Sequence, residues 1–446
     1  MWFRRDLRLL DNPALLAAIA SAKADGDGQV VPLFVLDPTL WDSAGPVRQA
    51  YLVASLDALG ISLGRSLLIR HGNPVTVVAE VAAAIGATSV HIAEDFAPYG
   101  MRRDAAVAQA LGNVPLIRTG SAYAVSPGRV TKGDGTAYRV FTPFYRAWMT
   151  QGWRAPADDI PSDIDWAMPL DCQGRPQAPD LGGLTLPPAG EQAAWQRWMQ
   201  YQEQSLGDYQ DERDRPDLNT TSKLSHHLRW GEIHPRSMLA ELTDENEVFR
   251  KELCWREFYA DVLFQAPQST TQSLNSKYDA MKWATGSAAD EAFKAWAQGR
   301  TGFPLVDAGM RQLRAEGWVH NRVRMVVASF LIKDLHISWQ RGAAEFMYYL
   351  RDADLASNVH GWQWTAGCGT DASPFYRVFN PIAQSLRFDP NGDYVRRYIP
   401  ELRHLAGADA LEPWDQKTGY DQGYPERIVD HAVERQVALD AYQAIR

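Results

Sequence analysis

Four short stretches of this 446-residue chain carry side chains suited to chemistry. In TTSKLSHHL, Thr220–Leu228, hydroxyls and Lys223 gather in the first turn of a helix. The free N–H groups and positive end of such a turn suit a phosphate, and equally suit plain capping by Thr221 or Ser222. In ELCWREFYADVLF, Glu252 and Trp255 share one helix face, and Arg256 and Tyr259 form the adjoining stripe. A carboxylate beside an indole can hydrogen-bond an amide-bearing base stacked on that indole; a salt bridge beside a core tryptophan is the alternative. In GWVHNRVRM, Asn321, Arg324 and Met325 cover one side of a helix start, while Arg322 lies well round the cylinder. Arg324 is expected to meet Asp352 and Asp354 of RDADLASN, in a buried ion pair or around a cofactor, because an unpaired buried charge is costly. The fourth stretch, SNVHGWQWTAGCGTDASPFYRVFNP, Ser357–Pro381, sets two tryptophans, a tyrosine and two phenylalanines among glycines. It is too irregular to be one amphipathic helix. Its glycines let backbone approach a partner closely.

These stretches need elements to hold them, and two textures are visible. From Trp2 to about Ser126, short β-branched runs alternate with Ala-rich helical runs. Val30–Leu36, Ser66–Gly72, Ser89–Glu94 and Val114–Gly120 have the composition of buried parallel strands. NPALLAAIASAKA, PVRQAYLVASLDALG and PVTVVAEVAAAIGA have that of crossover helices opening at proline. This predicts a doubly wound α/β domain over 1–127, with any ligand crevice at the strand carboxyl ends. No G-x-G-x-x-G follows the first strand, which argues against an ordinary dinucleotide fold. Residues 128–190 are assigned as connector, and from about Pro156 to Gly190 they are rich in Pro, Gly and Asp. Residues 191–446 are predicted almost all helical, in segments at Ala193–Gln204, Ser222–Trp230, Pro235–Leu242, Asn246–Phe264, Phe303–Glu316, Val319–Leu335 and Arg341–Leu350, with one more helix at the end.

Composition narrows the class. No run of about 18 apolar residues exists, which excludes a membrane-spanning helix, and the charged start MWFRRDLRLL is unlike a secretory signal. Three scattered cysteines give neither a disulfide framework nor a metal-ligand spacing, and suit a reducing cytosol. The net charge of −9 opposes a polyanionic partner unless positive charge is gathered locally. Sixteen tryptophans exceed what packing alone asks of a helical core.

The blocks ELCWREFY, FPLVDAGMRQL, GWVHNRVRM and DLASNVHGWQWTAGCGTDASPFYRVFNP, preceded by WFRRDLRLLDNPAL and YRVFTPFYRAW, together resemble the DNA photolyase/cryptochrome family. The resemblance runs from end to end with order and spacing kept, and is nearest to class I cyclobutane pyrimidine dimer (CPD) photolyases. It implies an N-terminal α/β antenna domain and an all-α C-terminal domain holding FAD, reduced in the active form. By motif, the FAD-binding set is Tyr209, Thr221, Ser222, Lys223, Leu224, Ser225, Arg324, Asp352, Ala353, Asp354 and Asn358, with Asn358 facing flavin N5. An asparagine there favours repair over signalling, since many plant photoreceptor relatives carry aspartate. Trp362, Trp339 and Trp283 resemble the family's electron relay, from flavin to surface, which photoreduces FAD and is not the repair step. Glu252, Trp255, Tyr259, Asn321, Arg322, Met325 and Trp364 resemble the pocket for a flipped-out dimer, with Arg213, Arg256, Arg322 and Arg377 holding backbone phosphates. A local basic rim of this kind answers the charge objection.

The resemblance further implies light-driven splitting of the dimer by an electron lent from reduced FAD, on single- or double-stranded UV-damaged DNA. It also implies a monomer without an obligate protein partner or membrane, in the cytoplasm and on the nucleoid when DNA-bound. No metal is called for. The alternatives are a cryptochrome-type blue-light receptor and a (6-4) photolyase; relatives repairing the (6-4) product usually carry histidine at the place of Met325. For the antenna, Ala44 and Gly100-Met101 stand where folate-binding members carry a histidine and an Asn-Glu pair. EDFAPYGMRRD is closer to members binding 8-hydroxy-5-deazaflavin, with Arg48 and Asp95 as contacts, although Ala97 stands where an acid is expected. Methenyltetrahydrofolate or no antenna are the other options. Met1 falls inside the family's first strand, which is therefore expected to be short.

Overall fold

Proline sets the helix starts of the α/β part: Pro13–Asp25, Pro46–Ser62, Pro74–Ala84 and Pro98–Ala110 each open at one, where its missing N–H costs nothing. A computed structural model describes residues 1–25, 27–161, 163–168, 170–370 and 376–445. Residues 371–375, inside the aromatic stretch, lie outside the described residues. The chain packs as two units, one of Met1–Tyr138, Thr142–Gly207 and Ser222–Pro267, the other of Arg139–Phe141, Asp208–Thr221 and Gln268–Arg446.

In the first unit, strands Trp2–Phe3, Leu33–Leu36 and Leu68–His71 pair in parallel in that order, and Val90–Glu94 pairs in parallel with Leu116–Ser121. The first strand is two residues long. The run expected as one strand over Val30–Leu36 divides at Pro32, which has no N–H to give a ladder. Its first half, Gln29–Val30, pairs instead with Asp165–Trp166 of the connector. The segment 128–190 is therefore not all linker: it also holds the helix Phe141–Gln151, whose Trp148 is fully buried.

The helix Glu247–Gln265 is fastened along one face. Buried Glu257 accepts from Val125 N at 3.0 Å and from Trp148 Nε1 at 2.7 Å, and buried Asp261 accepts from Gly128 N at 2.6 Å. These bonds tie the helix to the loop after the strand Leu116–Ser121 and to the helix Phe141–Gln151, which is why residues 222–267 pack with the α/β part. Burial pushes the Asp261 carboxyl up to about 6, against the opposing bond from Gly128 N. A pKa raised on folding means the folded state holds the proton more tightly, so this group's contribution falls as pH rises from about 4 through about 6. The full loss is roughly 3 kcal/mol at 1.4 kcal/mol per unit. Asp261→Asn, which keeps an acceptor for Gly128 N and never ionises, is expected to remove this slope. Urea midpoints of the two proteins at pH 4, 5, 6 and 7 check it.

The second unit is helical. Pro304–Glu316, Asn321–Lys333, Trp339–Tyr349 and Leu355–Ala366 surround one core containing Trp296, Trp339 and Trp362. The last of these helices takes up the first half of the aromatic stretch and ends at Gly367 in the left-handed conformation, φ +88°. Close approach of two helices here depends on Gly342, where an added Cβ would lie 2.2 Å from the Trp362 ring. Gly342→Ala is expected to destabilise by about 1–3 kcal/mol through overpacking. A lowered urea midpoint with altered Trp362 fluorescence is the measurement.

Candidate active site

The helix Glu247–Gln265 is fixed by Glu257 and Asp261 on one side and leaves Glu252, Trp255 and Tyr259 half-buried on another. The Trp255 ring is buttressed by Tyr259 at 5.3 Å and by Phe258, edge-on, at 5.6 Å, so the indole is held as a rigid platform. Arg256, expected among the phosphate ligands, is differently engaged. Its guanidinium donates to Ala122 O at 2.8 Å and Leu228 O at 3.2 Å and lies 4.8 Å from the Tyr123 ring centre. Two of its five N–H donors thus hold backbone carbonyls, which ties the helix to its neighbours in this unit.

Leu228 belongs to the helix Ser225–Trp230, which starts three residues later than expected because Lys223 adopts a left-handed φ of +52°. Neither Thr221 nor Ser222 caps it. The cap position is Leu224, which has no side-chain acceptor, and Ser222 Oγ instead accepts from Leu224 N at 3.4 Å. Ser225 is exposed at the helix start, and Thr221, Ser222 and Lys223 are half-buried before it. Both readings of this segment placed Thr221, Ser222 and Lys223 in the first turn of a helix, and all three instead precede it.

In the second unit Arg324 and Asp352 meet as the sequence predicted, Nη2 to Oδ2 at 2.8 Å, and Arg324 Nε donates to Val319 O at 2.8 Å. Asp354 caps the helix Leu355–Ala366 by accepting from Ser357 N at 3.0 Å. One turn into that helix, buried Asn358 donates Nδ2–H to Ala343 O at 2.9 Å, which fixes its amide. Ala353 is buried between the two aspartates in sequence. Tyr209 opens a short helix and has the Arg213 guanidinium 5.5 Å from its ring centre. Exposed Asn321 and half-buried Met325 lie at the start of Asn321–Lys333, and half-buried Trp364 has the guanidinium of exposed Arg377 5.7 Å from its ring centre. Arg322 turns away from Arg324 and pairs with Asp214 at 2.6 Å.

Trp362 and Trp339 are buried in one core and Trp283 lies half-buried at its edge. Trp296, which the sequence reading left unassigned, is fully buried and edge-on to Trp362 at 6.1 Å. Its position in the apolar stripe of EAFKAWA marks it as core and nothing more. Asp214 was also passed over, although it directly follows Arg213. In the first unit the two antenna candidates are each engaged: buried Arg48 donates to Ser43 O at 3.3 Å, and Asp95 pairs with Arg103 at 3.4 Å and accepts from Ala97 N at 3.0 Å. Burial alone would raise the Asp95 carboxyl, but Arg5, Arg4 and Arg103 together hold it below the usual range.

Comparison with known proteins decides the family. Residues 1–162 match the family model described as DNA photolyase, and residues 249–444 the one described as the FAD binding domain of DNA photolyase. A deoxyribodipyrimidine photo-lyase of Agrobacterium fabrum is 38% identical, the match covering 100% of this chain and 98% of that one. The chain belongs to the DNA photolyase/cryptochrome family. As an enzyme it is of the photo-lyase type, and its helical part is a FAD-binding domain. A class III photolyase from Agrobacterium tumefaciens superposes with a TM-score of 0.90 at 37% identity, over 100% of this chain and 96% of that one. A Synechocystis cryptochrome superposes with a TM-score of 0.89 at 27% identity, over 99% and 98% of the two chains. Class I is therefore not singled out within this photolyase family.

The residues present fit FAD. The Asp352 side chain is 2% exposed, and its Oδ1 is buried with no hydrogen-bond partner among the described residues while Oδ2 holds Arg324. A buried carboxylate oxygen without a donor is costly unless a ligand supplies one, and FAD carries hydroxyl and ring N–H donors.

Proposed function

We propose that this enzyme repairs cyclobutane pyrimidine dimers in DNA, using light and reduced FAD. The observation that carries the reading is the rigid platform of Trp255, one turn from Glu252, on a helix whose other face is fastened by Glu257 and Asp261 to backbone N–H groups. When bound, reduced FAD supplies the photoexcited electron that opens the cyclobutane ring and receives it back. Both carbon–carbon bonds break, with no net redox change and no hydrolysis.

The chain's own residues do the rest. Trp255 and Trp364 stack on the extruded dimer, which leaves the duplex more cheaply than sound bases because its pairing is already weakened. Glu252 hydrogen-bonds the pyrimidine edges; Met325 and Asn321 are further substrate contacts, and Tyr259 supports Trp255. Arg213, Arg322 and Arg377 hold phosphates, while Arg256 acts as a positioning residue. Arg324, Asp352, Ala353, Asp354 and Asn358, with Tyr209 and the segment Thr221–Ser225, bind the cofactor, and the fixed amide of Asn358 faces the ring without adding a negative charge. Trp362, Trp339 and Trp283 refill the cofactor with electrons. An 8-hydroxy-5-deazaflavin antenna beside Arg48 and Asp95 completes the proposal, supported by the sequence around Glu94–Asp104.

Illumination of purified protein with oligonucleotides carrying one CPD or one (6-4) product tests this. Loss of the CPD alone is expected. Loss of the (6-4) product, or photoreduction with both lesions intact, would select the other two family activities. A blue absorption band beyond that of FAD in the same sample would identify the deazaflavin.

A further inference from the structure

We infer that Asp214 is a built-in competitor for DNA phosphate. This rests on the proposed role of Arg213 and Arg322 as phosphate ligands. Asp214 Oδ2 lies 2.6 Å from Arg322 Nη2, and its Oδ1 lies 4.0 Å from Arg213 Nε, so one carboxylate answers both arginines. The Arg322 guanidinium is otherwise fixed, 4.6 Å from the ring centre of Phe388. The side chains of Arg322 and Asp214 are 19% and 31% exposed, which leaves the pair within reach of water and of a ligand.

A carboxylate and a phosphodiester present the same kind of anionic oxygens to a guanidinium. A DNA phosphate therefore competes with Asp214 for the Arg322 guanidinium. The cost falls on the backbone contact, which is blind to sequence and to damage. Asp214 thus weakens binding to repaired and damaged strands alike, and its consequence is faster release of repaired DNA.

Asp214→Asn removes the charge and keeps the shape, and Asp214→Ser is a second variant that removes the side chain's reach. Affinity for a duplex with and without one CPD, measured by fluorescence anisotropy over a range of salt, reads the effect. Both variants are expected to tighten both duplexes by about tenfold, and to steepen the slope of log K against log salt by about one, the signature of one more neutralised phosphate. The gain should vanish in an Arg322→Ala background. Bound-flavin content and melting temperature verify folding. Unchanged or weaker affinity, or an unchanged slope, overturns the inference, and does so alone if the wild type repairs dimers. Wild type that binds both duplexes without repairing the dimer refutes the proposed dimer repair and leaves the affinity comparison to judge Asp214. Failure of every form to bind DNA overturns both.

Discussion

Arg324→Met is expected to lose bound FAD and to destabilise the helical unit by about 3–5 kcal/mol, the cost of stranding a buried carboxylate. Asp352 has one oxygen on Arg324 at 2.8 Å and the other buried without a partner among the described residues, so the variant removes the cation that answers it there. The fold and the cofactor can be separated by a second change. Arg324→Met with Asp352→Leu replaces the ion pair by apolar groups of similar volume, which is often neutral or stabilising. The double variant should recover most of the urea midpoint and still fail to hold flavin, because the donors and acceptors that FAD would meet are absent. Recovery of flavin binding along with stability would show that the pair serves packing only. Flavin absorbance after gel filtration, with unfolding curves on the same samples, provides both readouts.

The second large effect is expected on substrate. Trp255→Ala should weaken binding of a CPD oligonucleotide by about 5- to 150-fold, corresponding to roughly 1–3 kcal/mol of base–aromatic stacking. Flavin content should not change, since Trp255 is not among the proposed FAD ligands. Trp255→Phe should recover part of the affinity, because a phenyl ring still offers a stacking face and still meets Phe258 and Tyr259. Equal affinities for all three proteins would remove Trp255 from the binding surface. The undamaged duplex is the internal control, as its binding depends on phosphate contacts.

What the sequence disclosed, and what it withheld, follows from the range of the forces involved. Helix starts at Pro46 and Pro74 and the stop at Gly231 were legible because capping is local chemistry. The Arg324–Asp352 pair was legible because a buried charge must find a partner, and few acids stood near in the motif. Pro32 was a local signal overlooked inside a strongly apolar run. Lys223 gave no warning of its left-handed backbone, since that conformation depends on the surrounding fold rather than on the residue type. Arg256 and Arg322 could not be told apart in sequence. Only the tertiary structure gives Arg256 carbonyl acceptors some 28 and 134 residues away, and gives Arg322 a partner 108 residues away. The face of Glu247–Gln265 that carries Glu257 and Asp261 was likewise silent, because its acceptors bind backbone N–H groups that no pattern marks.

In the proposed repair, light moves one electron from reduced flavin into the dimer and back. Protein with its flavin chemically reduced, bound to a CPD oligonucleotide without oxygen, can be given a single flash while flavin and pyrimidine absorbance are followed together. A brief loss of reduced flavin that recovers fully as intact pyrimidines appear is expected, with no change in the dark. Flavin left oxidised in proportion to the dimers split, or dimers split without any flavin transient, would contradict it.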